Sequence, residues 1–288
     1  MLERCRTAVP GALLVQADLE ALPFAAHTLH GAWAYMSYLH VRSVLLPRAL
    51  ADLHRALVVG ATAEIQVLAG DYEGDALPAD RIGGRFFASW TPQRLRDALV
   101  GAGFEVEGLE VDGDVVHASV VRAATLPDVV GPGMHLLVVG LNPSVYSADS
   151  GVGYARPGNR FWPAALAGGL VTRDRDATHA LDVHGIGMTD LVKRATSNAA
   201  TLTPAEYQDG IHRVERLVRW LEPGAVCFVG LTGWRAAVDR RATAGVQSQR
   251  FGGRPVYVMP STSGANAYAR LDALTDHLRA ARSLAADG

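Results

Sequence analysis

The chain has 288 residues, 49% hydrophobic and 19% charged, with a formal net charge of −2. At roughly 100–200 residues per domain this is enough for two cores, and the mix excludes wholesale disorder, collagen-like sequence and a disulfide scaffold. Apolar runs such as Leu136–Gly140 and Ala225–Leu231 fall well short of the roughly 20 residues that span a bilayer. Glu3, Arg4 and Arg6 precede only a brief apolar stretch, Gly11–Val15, a poor signal peptide, and Cys5 and Cys227 make neither a framework nor a metal cluster. The expectation is a soluble cytoplasmic protein.

The first half alternates strand and helix. Ala12–Gln16 and Gly31–Tyr35 read as strands, Leu46–Leu57 as a helix, and Ala63–Leu68 as a strand. Thr91 caps a helix over Pro92–Gly101 with proline in its first position, and Phe104–Leu109 and Val115–Val121 form a closing pair of strands. Ala123–Gly133, with two prolines and two glycines, reads as a linker between residues 1–122 and 134–288. Beyond it, His135–Gly140, Ala225–Gly230 and Pro255–Met259 read as buried strands. Helices are expected over Arg160–Gly168, Ile211–Leu221, Gly233–Arg241 and Ala267–Arg282. Buried strands separated by helices imply a mostly parallel sheet covered on both faces, which binds ligands beyond its carboxyl ends. Two loops leave such ends, Gly140–Tyr154 and Pro260–Ala267.

Charge is uneven. Before Pro127 there are 10 basic and 15 acidic residues, a balance of −5; after it there are 17 and 14, a balance of +3. A polyanionic partner therefore belongs to the second half. All basic residues but Lys193 are arginine.

Four blocks stand in order in the second half: Gly140-Leu141-Asn142-Pro143-Ser144; Tyr154-Ala155-Arg156-Pro157-Gly158-Asn159-Arg160-Phe161-Trp162; Gly185-Ile186-Gly187-Met188-Thr189-Asp190-Leu191-Val192; and Met259-Pro260-Ser261-Thr262-Ser263-Gly264. Together they resemble the mismatch-specific uracil/thymine-DNA glycosylase family over about Gly133–Arg282. The resemblance implies a three-layer α/β/α uracil-DNA-glycosylase-like unit with a mostly parallel sheet. It implies excision of uracil, or of thymine or a damaged pyrimidine, from G·U or G·T mismatches in double-stranded DNA. The enzyme would sit on the nucleoid when engaged and need neither metal nor cofactor.

The residues suit that chemistry. Cleaving a deoxyribosyl–pyrimidine bond passes through an oxocarbenium-like transition state with negative charge on the leaving base. The resemblance gives Asn142 the nucleophilic water. An amide is no real base, so bond breaking runs ahead of attack and turnover is slow. Tyr154 matches the aromatic platform for a flipped base, Leu141 lends its backbone at the base edge, and Ser147 either lines the pocket or is a loop hydroxyl. Asn159, Phe161 and Trp162 hold the loop to the next helix. Asp190 departs from the family pattern: it is a second water-activating group, an acceptor for a base N–H, or a loop aspartate beside Lys193 and Arg194. Ser261, Thr262 and Ser263 fit phosphate contacts, and Gly264, Ala265 and Asn266 fall where the family inserts a wedge, with Ala265 a weak plug. A lyase needs an amine for a Schiff base. With Lys193 the only lysine, in a position without that family role, the expectation is a monofunctional enzyme leaving an abasic site. His184 reads as a satisfied loop histidine near the site.

In the first half, Ala17-Asp18-Leu19-Glu20-Ala21-Leu22-Pro23-Phe24, Leu39-His40-Val41 and Ser89-Trp90-Thr91 through Gly103-Phe104 resemble class I S-adenosylmethionine-dependent methyltransferases over about Met1–Val121. The resemblance places Asp18 by the adenine ring. The family's glycine-rich loop and ribose-binding acid are not in this sequence, so the unit reads as an incomplete Rossmann-like methyltransferase whose S-adenosylmethionine site lacks its floor. Either the start is misplaced or the half is a relic scaffold. A small-molecule methyltransferase and a non-catalytic mismatch sensor are the alternative functions.

Overall fold

The computed structural model describes residues 2–77, 80, 82–266 and 268–285. Its first elements are α1 (Leu2–Ala8), β1 (Leu29–Tyr35), α2 (Leu46–Ala56), β2 (Leu57–Ala69), β3 (Glu73–Gly74), β4 (Phe87–Trp90), α3 (Pro92–Gly101), β5 (Phe104–Asp112) and β6 (Val115–Arg122). Their sheet is mixed: β2 pairs in parallel with β1 and β4 and antiparallel with β6, which pairs antiparallel with β5. Alternation along β2 and β6 turns Ala63, Ile65, Val67, Val116, Ala118 and Val120 inward onto the apolar faces of α2 and α3. Among the described residues the core lies on that face; Trp33 and Tyr35 of β1 stand exposed on the other. Thr91 caps α3 as expected, its hydroxyl accepting from the Arg94 amide.

One expected strand does not form. Residues 12–17 are irregular, with Leu13 97% exposed. A strand needs a neighbour to satisfy its N–H and C=O groups, and none pairs with this segment among the described residues. β2 is longer than Ala63–Leu68 because it starts directly where α2 ends.

The second sheet uses β7 (Leu136–Gly140), β8 (Ile186–Asp190), β9 (Ala225–Val229), β10 (Gly245–Val246) and β11 (Val256–Met259) in the order β10-β11-β9-β7-β8, parallel except for β10. Around it lie α4 (Val145–Ser150), α5 (Phe161–Ala167), α6 (Ala177–His184), α7 (Pro204–Leu221), α8 (Leu231–Ala237) and α9 (Leu271–Leu284). Both faces are buried. Leu137, Val139, Val226, Phe228 and Val258 share one core with α7 and α8, and the intervening Leu136, Val138, Cys227, Tyr257 and Met259 share another with α5 and α9. The three-layer α/β/α reading follows from this alternation. β8 and α6 complete the unit. α7 starts before Ile211, at a capping box of Thr203 and Glu206, and α8 ends before Arg241. α9 runs from Leu271; Ala267, the expected start, lies outside the described residues.

Ala123–Gly133 is not a free tether. Thr125, Leu126, Asp128 and Val130 are buried, and Val129 exchanges backbone hydrogen bonds with Met188 of β8. Further contacts join the halves. Asp97 of α3 accepts from two guanidinium nitrogens of Arg216, Nε at 2.5 Å and Nη2 at 2.9 Å, and Trp90 meets Trp220 edge-on at 5.7 Å between ring centroids.

Candidate active site at the carboxyl edge of the second sheet

The parallel strands β7, β8, β9 and β11 all end at one edge, where the predicted site residues collect. Gly140 ends β7 opposite Asp190, the last residue of β8. A Cβ at Gly140 would strike the Asp190 carboxyl and lie 3.0 Å from the Tyr154 hydroxyl. Glycine is therefore required here: it leaves room for a carboxyl and a phenol to converge over the strand end.

Two residues on, the half-buried Asn142 side chain is pinned. Its Nδ2 donates to Pro143 O at 3.1 Å, Arg194 O at 3.0 Å and Thr196 Oγ1 at 2.8 Å. Two of these partners are carbonyls, which only accept, so the amide has one sensible orientation. Oδ1 is left without a protein donor among the described residues. Leu141 faces the same edge through its backbone, its carbonyl engaged by the Val192 N–H at 2.9 Å. Ser144 caps α4, and the buried Ser147 hydroxyl lies 3.0 Å from the Ser144 hydroxyl, facing its own helix start.

Tyr154 is the unusual residue of the site. Its backbone is left-handed, with φ 58°, a conformation that costs a non-glycine residue about 1 kcal/mol or more and is held by its surroundings. Trp162 donates from Nε1 to Gly153 O at 2.8 Å, and the Tyr154 ring stacks on Phe161 with centroids 4.2 Å apart and 19° between planes. Among the described residues the buried hydroxyl has no partner, while the residue as a whole keeps partial exposure. Burial, and next the Asp190 charge, hold the phenol well above its ordinary pKa.

Asp190 retains partial exposure, yet burial of its carboxyl raises its pKa from the ordinary 3.8 to about 6; Lys193 and Arg213 oppose the rise and Asp128 adds to it. Beneath it lies a buried polar cluster that sequence reasoning missed. Asp128 receives Arg213 Nη1 at 2.7 Å, Lys193 Nζ at 2.8 Å and the Thr189 hydroxyl at 2.6 Å, and Arg213 Nη2 donates to Asp190 O at 2.8 Å. Burial pushes the Asp128 pKa up, but the two cations outweigh it and the net shift is downward. Lys193, the lone lysine, is thus committed to an ion pair with its side chain only 10% exposed. His184 lies at the end of α6, its Nε2 2.9 Å from the Thr172 hydroxyl, at the amino end of β8 and so away from the site.

The loop after β11 faces the same edge. Ser261 Oγ accepts from Ser263 N, Ser263 Oγ accepts from Ala265 N, and Asn266 Nδ2 closes the loop onto Ser261 O at 2.9 Å. Thr262 is buried, its carbonyl accepting from Arg160 N at 2.9 Å, while Gly264 and Ala265 form an exposed tip. The Arg160 guanidinium reaches Ser263 O at 2.9 Å, Asn266 O at 2.6 Å and Ala269 O, fastening this loop to the one that carries Tyr154. Sequence reasoning gave Arg160 no role, although the Asn159–Trp162 block contains it. Thr196 carried no sequence signal.

In the first half, Asp18 Oδ1 accepts from Glu20 N at 2.9 Å in a tight turn, beside a broadly open hollow of about 720 Å³ lined by Gln16–Glu20, His40 and Val41. These residues do not fit S-adenosylmethionine: one oxygen of the Asp18 carboxyl is taken by its own turn, and the residues lining the hollow include no glycine.

A three-layer α/β/α unit with its polar side chains gathered at the carboxyl edge of a parallel sheet is a ligand-binding α/β domain. The uracil DNA glycosylase superfamily model matches residues 127–284, and the chain belongs to that superfamily. Membership points to a glycosylase acting on DNA. Among solved structures, the N-terminal part is similar to S-adenosylmethionine-dependent methyltransferases. One from Mesorhizobium loti is 20% identical, with 42% of this chain and 76% of that one covered and a TM-score of 0.35. Another from Methanosarcina mazei is 12% identical with the same coverage and TM-score. The Burkholderia thailandensis 1,6-didemethyltoxoflavin-N1-methyltransferase is 19% identical over 38% of this chain and 50% of that one, with a TM-score of 0.32.

Proposed function

We propose that the protein is a monofunctional mismatch-specific uracil-DNA glycosylase that hydrolyses the N-glycosidic bond of uracil, and of related pyrimidines, opposite guanine. The observation that carries this reading is the Asn142 amide: Nδ2 is fixed by two carbonyls and Thr196, so Oδ1 is the group left to hold a water.

In this reading the target nucleotide leaves the duplex and its base lies on the open face of Tyr154, whose other face is backed by Phe161. The C1′–N1 bond breaks first, its electron pair departing on the pyrimidine. The water on Asn142 Oδ1 then bonds to C1′ and sheds a proton. Asp190, with its pKa raised to about 6, is largely ionised at neutral pH and accepts either that proton or the base N–H. Ser261, Thr262, Ser263 and Asn266 shape the loop that meets the DNA backbone, Leu141 lends its backbone at the base edge, and Ser147, turned to the start of α4, supports the loop behind it. Lys193 is occupied by Asp128, which favours an abasic product over lyase cleavage.

The test is base release from duplexes holding one G·U, G·T or A·U pair, alongside Asn142→Ala. The reading expects excision from G·U that falls at least about 100-fold in the variant, the scale of a lost catalytic group. Selective binding without excision would replace it with a mismatch sensor.

A further inference from the structure

β1 is an edge strand without the usual protection. Among the described residues it pairs with β2 alone, on the side away from β6, and its outer edge meets no strand. Its sequence, Leu-His-Gly-Ala-Trp-Ala-Tyr, holds no proline, lysine or carboxylate, the residues that keep an exposed edge from pairing. Trp33 and Tyr35 stand 72% and 62% exposed on one face, their ring centroids 5.7 Å apart. Ala32 and Ala34 turn the other way, against the core. The same chain carries a segment that fits this edge. Residues 12–16, Ala-Leu-Leu-Val-Gln, are apolar enough for a strand, yet join no ladder. Leu13 and Val15, both exposed, would share one face of an extended chain, with Ala12 and Leu14 on the other. Beside β1, the first pair covers Trp33 and Tyr35 and the second extends the row of Ala32 and Ala34. Charge agrees. Glu64 lies opposite Trp33, and Glu105 and Glu110 continue that face through β6 and β5, where the paired positions hold no lysine or arginine. α1, just upstream of the segment, brings exposed Arg4 and Arg6. Within one chain the segment stays off its own β1, because the residues after it are fastened to α2: Asp52 accepts from Leu22 N, and Arg55 donates to Leu22 O and Phe24 O.

We infer that this edge takes a second copy of the chain: residues 12–16 of each copy add as a strand to β1 of the other, a reciprocal exchange that closes as a two-fold dimer. Each exchange satisfies backbone N–H and C=O groups on both partners and removes Leu13, Val15, Trp33 and Tyr35 from water.

Sedimentation velocity over a concentration series compares the full-length wild type with Leu13→Pro and Trp33→Lys. The proline removes a ladder donor from a segment that is irregular and exposed in the single chain. The lysine sets an ammonium beside Glu64 and against the incoming Arg4 and Arg6. Neither position belongs to a core, and far-UV circular dichroism checks that both variants fold. The expected result is a wild-type dimer whose dissociation constant rises at least about tenfold in each variant, because every substitution acts twice in a two-fold dimer. A 1:1 mixture of the two variants should associate more than either alone, since the proline chain keeps an intact β1 and the lysine chain an intact segment 12–16. A wild type that stays monomeric throughout, a dimer that both variants leave unchanged, or a mixture no more associated than its components overturns the inference.

Discussion

Asp190→Asn replaces a carboxyl by a group of the same shape that never ionises, at a position where ionisation is costly. Burial raises the folded-state pKa from 3.8 to about 6, so between those values the folded protein binds more protons than the unfolded chain, and stability falls as pH rises. The wild-type penalty is small near pH 4, grows through the window, and is complete above the folded pKa. Two units at 1.36 kcal/mol each make it about 3 kcal/mol. The variant escapes it. Its stability advantage should therefore climb from under about 1 kcal/mol near pH 4 to about 3 kcal/mol near pH 8, a gain on the order of 5–10 °C in Tm. Thermal unfolding of both proteins across that range is the assay. Parallel stability curves would show that Asp190 is not desolvated and refute the argument. The same pair separates its roles in the reaction. If ionised Asp190 accepts a proton, wild-type G·U excision rises with pH through about 6 and the variant loses that limb along with about 100-fold in rate; a variant with the wild-type profile and rate would remove Asp190 from the chemistry.

Three further substitutions follow. Asn142→Asp is not conservative, because it turns an acceptor toward Pro143 O and Arg194 O; it should lose about 1–3 kcal/mol of stability besides its activity, and an active, equally stable variant would contradict the pinned-amide geometry. Asp128→Ala strands Lys193 and Arg213 without their counter-charge and should cost about 3–5 kcal/mol by denaturant titration; a loss under 1 kcal/mol would show that the cluster is solvated. Borohydride added during reaction with uracil DNA should trap no adduct through Lys193, and Lys193→Gln should leave the abasic product uncut; a trapped adduct that disappears in this variant would overturn the monofunctional reading.

Much of the candidate site was legible because its residues fall in local blocks. Gly140–Ser144, Gly185–Val192 and Met259–Gly264 each contain a strand end and the start of the loop that follows, and Tyr154–Trp162 runs from the loop after α4 into α5, so their order along the chain maps onto one edge of one sheet. β8 was harder to see as a strand: Ile186-Gly187-Met188-Thr189-Asp190 has glycine and threonine where β7 has leucine and valine, and it is buried only because β7 and Val129 flank it. Ala12–Gln16 failed for the opposite reason. Its apolar residues fit a strand, but strand formation depends on a partner, which no local pattern reports. Arg160, Thr196 and Arg213 were invisible because each meets a partner distant in sequence: backbone carbonyls for Arg160, the Asn142 amide for Thr196 and the buried Asp128 carboxylate for Arg213.

The segment at Ala123–Gly133 shows the same limit in a more consequential way. Its prolines and glycines read as a tether, and its one aspartate drew no attention. Yet Asp128 lies at the centre of the structure's polar coupling. Its backbone N–H donates to Gly101 O at the end of α3, and its carboxylate pairs with both Lys193 and Arg213, whose guanidinium in turn holds the Asp190 carbonyl. A Cβ at Gly101 would strike that carboxylate, so the first half closes directly over it. Nearby, α7 carries Arg213 toward the site, Arg216 toward Asp97 and Trp220 toward Trp90. The same helix therefore bears both the support of Asp190 and the interface with the first sheet. Removing residues 1–125 would expose Trp220 and open a wall of the Asp128 cluster, raising the local dielectric around Asp190 and returning its pKa toward the ordinary carboxylate range. On this argument the first half has a physical role independent of any cofactor: it keeps the floor beneath Asp190 dry.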